Sequence, residues 1–398
     1  MYIKFGVQPR TAILAVGFSA LIVAMGFLAI RIRRGIGDFQ LTHYYFNYSD
    51  EFLRRGLIGE VLRQLGLTLS NINVSVLYSS AVVLFLALLV LGCARLFSQL
   101  PIRTGVLFVV FMLACPGLTL HYAYSSYGYL DIFKLLLTLL GLVVIYRRDF
   151  TVALAVTCIL SISSMLVHEA GLMITAPVLI AALMVKFHDR FTLPKAAGLF
   201  AVFVAIAMVI WLRGSADTMS FEDHVNALST VAAPHDSEIS DAAVVVLHRT
   251  LGDNVGLLLP QSPWWYAWQQ IKFLLLGAPY LFIFVTSLMM VRSYLATSGR
   301  QMAALAMAAA AFAPVLLYPI GHDYFRWWSA AMANYFMLML FFCSLNPRFL
   351  DHLKSFMDRN KHVMWLGIFI GITMGGIGGL LSFSVHTAPA FMALRAVF

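Results

Sequence analysis

Charge is what this chain has least of. Asp, Glu, Lys and Arg make up 11% of its 398 residues, against roughly 25% in a soluble domain. That scarcity excludes an ordinary water-soluble fold. Cysteine is nearly as sparse: Cys93, Cys115, Cys158 and Cys343 each lie inside an apolar run. Such placement excludes a disulfide framework or a zinc knuckle and reads as core packing. No phosphate loop, Gly-x-Ser-x-Gly, Cys-x-x-Cys or His-Glu-x-x-His occurs. The familiar soluble nucleotide-binding, hydrolase, thiol-redox and metalloprotease signatures are therefore all missing. Acids are fewer than bases, which leaves a net charge of +9.

What fills the chain instead is apolar, 61% of it, in runs near the ~20 residues that cross a bilayer as helix. About eleven spans are expected, at residues 11–30, 75–94, 105–120, 130–146, 150–166, 171–187, 196–212, 271–291, 302–320, 327–345 and 363–383. They predict an all-α polytopic membrane protein, a single transmembrane domain over 1–398 with outer loops at 31–74 and 213–270. The first run is too long for a signal core and no small-residue cleavage site follows it, so the expectation is a retained span.

The distribution of Lys and Arg gives an orientation. With a cytoplasmic N-terminus, the inner segments hold 15 of the 27 basic residues and 4 of the 18 acids, a balance of +11. The outer segments hold 12 basic and 14 acidic residues, a balance of −2. This is the positive-inside pattern, so the basic total reports topology and not a nucleic-acid partner. One outer loop dissents: Arg31, Arg33, Arg34, Arg54, Arg55 and Arg63 crowd residues 31–74.

Four charged clusters border or interrupt apolar runs, all on that outer side. They are Asp50-Glu51 with Arg54-Arg55, Asp131 with Lys134, His168-Glu169, and His322-Asp323 with Arg326. Ionisable groups at membrane depth are costly and usually mark function. In the first outer loop, Asn47 or Ser49 is placed to cap a helix through residues 52–65. Leu57, Ile58, Val61, Leu62 and Leu65 share one face of it and Arg55, Glu60, Arg63 and Gln64 the other, as in a helix lying in the interface. Asp50 and Arg54 stand one turn apart. The bland alternative is an anchoring helix with incidental ion pairs. Asp131 reads equally as a helix cap. His168-Glu169 marks a turn inside a stretch too long for one span, and Arg326 with Asp323 reads equally as an ion pair in the bundle.

Outward carboxylates, outward cations and a lipid-bounded site suit sugar transfer from a polyprenyl-phosphate carrier. Cations hold the departing phosphate and a carboxylate takes the proton of the acceptor hydroxyl. With Gly37-Asp38-Phe39 or Asp50-Glu51 followed by the helix of residues 52–65, the whole resembles the GT-C superfamily of membrane glycosyltransferases. The resemblance implies catalytic carboxylates among Asp38, Asp50 and Glu51. In such families the first acid closely follows the first span, which favours Asp38; the paired acids and their basic neighbours favour Asp50. It also implies substrate contacts from Arg54, Arg55, Asp131, Lys134, His168, Glu169, His322, Asp323 and Arg326. The donor would be a polyprenyl-phosphate-linked sugar and the acceptor a glycan, lipid or protein, at the outer face of a bacterial inner membrane. No cofactor is implied, and a divalent metal, although Asp50, Glu51 and Asp131 could meet, is not. Trp264-Trp265 is followed by Tyr266, so the Trp-Trp-Asp motif of oligosaccharyltransferases is missing. Together with the expected absence of a soluble C-terminal domain, this speaks against protein N-glycosylation. The alternatives are a glycan polymerase or ligase, a transporter or flippase of lipid-linked sugars, and an O-acyltransferase with His168 or His322 as base.

Overall fold

The computed structural model describes residues 8–49, 51–114, 122–123, 126–215, 219–249, 252–253, 285, 301–320 and 324–373. Among them it is all-helical, without a strand. The helices are α1 (Pro9–Arg34), α2 (Asp38–Tyr45), α3 (Leu57–Gln64), α4 (Asn71–Phe97), α5 (Ile102–Ala114), α6 (Asp131–Arg147), α7 (Phe150–Val167), α8 (Gly171–Ile174), α9 (Ala176–Lys186), α10 (Leu193–Arg213), α11 (Phe221–Ala232), α12 (Asp241–His248), α13 (Gln301–Phe312), α14 (Tyr324–Leu345), α15 (Pro347–Arg359) and α16 (Lys361–Thr373). Short 3-10 turns follow α11 and α13.

Among the described residues, five helices are long and apolar enough to cross a membrane: α1, α4, α7, α10 and α14. Three shorter apolar pieces are Ile102–Ala114, Gly171–Lys186 and Leu305–Leu317. The expected span at 171–187 is broken: α8 stops at Ile174, and Pro177 sits in the first turn of α9, where its missing N–H is harmless. The expected span at 302–320 starts as α13 and tightens into a 3-10 turn over Ala313–Ile320, where Pro314 and Pro319 withhold backbone donors. The expected span at 271–291, and most of that at 363–383, lie outside the described residues.

Local chemistry sets the helix ends. Pro9 opens α1 with its φ already helical, and Arg31, Arg33 and Arg34 close it, where cations suit the helix dipole. Gly35 then turns the chain at φ 76. Directly after it, the Asn71 side chain clamps the backbone of Ile36, accepting its N–H at 2.7 Å and donating to its carbonyl at 2.8 Å. Ser70 caps α4 through the Asn73 N–H, Asp149 caps α7 through Val152, and Ser220 caps α11 through Asp223.

The interfacial helix of the first outer loop is shorter than expected. It begins at Leu57, with neither Asn47 nor Ser49 as its cap. The Asn47 side chain accepts the Ser49 N–H at 2.8 Å, closing a turn. Arg55 then adopts the left-handed region at φ 70, which no continuous helix permits. Arg54 and Arg55 therefore precede the helix and are not on its faces; Asp50 lies outside the described residues. The remaining helix keeps a two-sided character, with Val61 and Leu65 exposed, Leu62 buried and Glu60 gathering Arg63 and Gln64. Glu60 also accepts the Tyr48 N–H. Those bonds, led by the one from Arg63, hold its carboxyl down at about 2.

Segments that the charge pattern puts on one side meet at one end of the bundle. There, Arg54 donates its backbone N–H to the Gly214 carbonyl at 3.0 Å, and Ser240 donates its own to Thr42 Oγ1 at 2.9 Å. At the other end, the Lys186 ammonium caps α6 through the carbonyls of Ile145, Tyr146 and Arg148, and Thr104 bonds Asp358. α15 is two-sided, with Asp351, His352 and Arg359 exposed. Its Phe349, Leu350, Leu353 and Met357 are buried.

Lipid is as apolar as a leucine side chain, so close packing rather than apolar burial must hold such helices together. α1 presses on α4 at Gly17, where a Cβ would lie 2.2 Å from Val90 Cγ1. Valine is stiff at χ1 and cannot swing away. At Gly26 on the same helix nothing lies within 4 Å of the same probe. Gly17→Ala is expected to lower the thermal midpoint of the detergent-purified protein, at a cost of about 1–3 kcal/mol. Gly26→Ala is expected to hold or raise it, since alanine is the better helix former. Equal midpoints for the two variants would show that α1 does not pack as described.

Candidate functional site

Tyrosines stitch the helices together at the end of the bundle that holds α2 and fix the segment that precedes α6. Tyr44 donates its hydroxyl to the Gly128 carbonyl at 3.0 Å, Tyr78 to the Ser126 carbonyl at 2.8 Å and Tyr127 to the Ser75 carbonyl at 3.1 Å. All three rings are buried. This places Tyr129 and the start of α6 beside α2, where the Phe39 and Tyr129 ring centroids are 6.2 Å apart.

Arg55 is the centre of one group. Its guanidinium grips the Glu169 carboxylate in a fork, through Nε at 2.9 Å to Oε2 and through Nη2 to Oε1. Nη1 donates to His43 Nε2 at 3.2 Å. On its other side His43 Nδ1 donates to the Phe39 carbonyl at 2.7 Å. A carbonyl can only accept and a guanidinium can only donate, so the ring is the neutral Nδ1–H tautomer. Burial first, then the Arg55 charge, push its pKa down from the ordinary 6.5 to about 3. Arg55 holds this pose at φ 70, where a residue with a Cβ is disfavoured by roughly 1–2 kcal/mol relative to the right-handed region. Glycine or asparagine would sit there more easily. The strain is retained along with the charge pair, a combination found at functional sites. His168 lies next to Glu169 and uses its Nδ1 to accept the Ala170 N–H at 3.1 Å. Its Nδ1 is therefore not a free base.

Asp131 is the centre of the second group. Its Oδ1 is 2.6 Å from Lys134 Nζ, one turn along α6. Its Oδ2 accepts from Arg326 Nε at 2.6 Å. Asp131 is thus an ion-pair partner, and not the helix cap that its position also suggested. The Arg326 guanidinium lies over the Tyr129 ring, 4.2 Å from its centroid. Lys134 is 0% exposed, and among the described residues its ammonium has no polar partner besides Asp131. An ammonium has three donors, so two have no partner among the described residues.

The two groups form one site. Phe39 touches both His43, at 5.0 Å between centroids, and Tyr129, under Arg326. Arg326 and Glu169 both act electrostatically on His43. Three cations (Arg55, Lys134 and Arg326) meet two carboxylates (Glu169 and Asp131), a surplus of one positive charge among the described residues.

The other candidates fall into three kinds. Asp38 is exposed in the first turn of α2, with no ion pair among the described residues. It is five residues from His43, about 7.5 Å along a helix axis. Glu51 is half-buried. Arg54 is 0% exposed and serves the fold: it stacks at 3.9 Å on Trp211 and donates to the carbonyls of Val246, Leu247 and Arg249, at the end of α12. Asp50, His322 and Asp323 lie outside the described residues. The dissenting basic loop is accounted for as well: three arginines end α1, Arg54 caps α12, Arg55 pairs with Glu169 and Arg63 pairs with Glu60. Among the described residues no group of three His, Cys, Asp or Glu side chains is arranged to hold a metal. His43 and Tyr129 are not among the candidates that the sequence suggests: His43 opens an aromatic run (Tyr44, Tyr45, Phe46 and Tyr48) and Tyr129 stands two residues before Asp131, and neither setting points to chemistry by itself.

No family model, characterised protein or solved structure matches this chain.

Removing one member of a buried ion pair strands its partner, at a cost of about 3–5 kcal/mol. Asp131→Asn removes the carboxylate that Lys134 and Arg326 share, and is expected to lower the thermal midpoint of the purified protein accordingly. An unchanged midpoint would show that Asp131 does not hold the two cations in place.

Proposed function

We propose that this protein is a membrane glycosyltransferase, moving a sugar from a polyprenyl-phosphate carrier to an acceptor hydroxyl at the outer face of a bacterial inner membrane. The reading takes about eleven spans with a cytoplasmic N-terminus, as the apolar runs and the Lys and Arg distribution suggest, which would put the site on the outer side. The observation that carries the reading is the surplus of buried cations in this cluster among the described residues: Arg55, Lys134 and Arg326 against Glu169 and Asp131. A phosphate supplies the missing negative charge, and a site between helices lets its lipid tail remain in the bilayer.

In this reading the acceptor oxygen attacks the anomeric carbon as the bond from that carbon to the phosphate oxygen breaks. The carrier phosphate leaves with the bonding electrons, and Lys134, Arg326 and Arg55 stabilise its growing charge. A carboxylate takes the acceptor proton. Glu169 and Asp131 are already committed to cations, which makes them poor bases. Asp38 is exposed and uncommitted, and is the base of choice; Asp50 and Glu51 are its rivals. The acceptor is the hydroxyl of a glycan, lipid or protein. The proposal requires no nucleic acid, metal or cofactor.

The test is sugar transfer from a panel of labelled polyprenyl-phosphate hexoses to membrane-extract acceptors. A general base contributes about 10²–10⁴-fold, so Asp38→Ala is expected to lose that much in kcat while keeping its thermal midpoint. Asp50→Ala is measured beside it. Full activity in both would overturn the assignment of the base, and absence of transfer by folded wild-type protein from every donor would overturn the function.

A further inference from the structure

Arg55 has five N–H donors. Glu169 occupies Nε and one hydrogen of Nη2, and His43 occupies one hydrogen of Nη1. One hydrogen on each terminal nitrogen then has no partner among the described residues. Arg55 is nevertheless buried. A guanidinium presents such donors in a rigid fork that matches phosphate, provided that the fork is held at a fixed angle. Glu169 fixes one edge of the plane. Nothing else among the described residues fixes the other terminal nitrogen except His43, and His43 is itself anchored: to the Phe39 carbonyl through Nδ1, and between the rings of Phe39 at 5.0 Å and Phe46 at 5.3 Å.

We propose that His43 is a positioning residue, a neutral imidazole that accepts from Arg55 through Nε2 and so aims the two spare guanidinium donors at the phosphate of the lipid carrier. This rests on the glycosyl-transfer reading for the identity of the ligand, but not for the geometry. The charged groups that face the ring are Arg55, Arg326 and Glu169. Two of the three are cations, so a proton on Nε2 would set like charges together and remove the acceptor that Arg55 uses. The role therefore requires the ring to stay neutral throughout the working range.

Binding of polyprenyl phosphate itself, without a sugar, tests this apart from catalysis. His43→Leu is expected to weaken binding about tenfold to hundredfold, the scale of a buried hydrogen bond to a charged group. His43→Gln, which restores an acceptor, is expected to recover most of the affinity. In the Arg55→Lys background, which keeps the charge but not the fork, His43→Leu is expected to change binding by no more than about twofold. An equal loss in both backgrounds would overturn the proposal, because His43 would then not act through Arg55. A second measurement needs no ligand. In 15N-histidine spectra, His43 is expected to show one protonated and one bare nitrogen without titrating between pH 8 and 5, and its Nε2 shift is expected to move in Arg55→Lys. Titration near the ordinary 6.5 would overturn the assignment. Should folded wild-type protein bind polyprenyl phosphate but transfer no sugar, the enzyme reading fails and the role of His43 stands. Should it bind none, the carrier phosphate is not the ligand and the proposal falls with it.

Discussion

Burying a guanidinium or an ammonium without a counter-ion costs several kcal/mol, and one end of this bundle gathers three in a single cluster. Arg55, Lys134 and Arg326 come from the first outer segment, from α6 and from α14. Glu169 holds the first, and Asp131 holds the other two. The surrounding structure serves that arrangement. Tyrosine hydroxyls fix the segment that leads into α6, His43 braces Arg55, and the break at His168 leaves Glu169 at the helix ends rather than within a span. Among the described residues the cluster has two carboxylates for three cations, the imbalance on which the proposed binding of a phosphate rests.

The rest of the chain answers to lipid. α1 and α10 leave large apolar side chains exposed, such as Ile22, Met25, Val209 and Leu212, which water would not tolerate in such number. Close contacts such as Gly17 on Val90 then do the work that apolar burial does in a soluble core. Polar side chains serve the helix ends: Arg54 satisfies the last carbonyls of α12 at one end of the bundle, and Lys186 those of α6 at the other.

Much of this was legible in the sequence, because the signals are local. Apolar runs gave helices such as α1, α4, α7, α10 and α14, and Asp131 with Lys134 at one-turn spacing gave their ion pair. An expensive His-Glu in an apolar stretch gave the turn after α7. What was not legible depends on distance along the chain. Arg55 and Glu169 are 114 residues apart, and Arg326 and Asp131 are 195 apart. Residue type and spacing cannot pair such partners. The expected helix through residues 52–65 failed at Arg55 for a related reason: its left-handed backbone is held by a tertiary ion pair, against its own local preference. His43 was hidden among aromatic neighbours, since its role depends on two hydrogen bonds and not on its composition.

The central claim is that the unbalanced cluster binds the phosphate of a lipid carrier, and Lys134 tests it most directly. Its ammonium is fully buried with a single polar partner among the described residues. The measurement is the affinity of the purified protein for polyprenyl phosphate, with and without Lys134→Met. Saturable binding by the wild type, weakened at least about tenfold in the variant as expected for a buried charge-assisted bond, is the predicted result. Equal affinity in the two folded proteins, or none in the wild type, would contradict it.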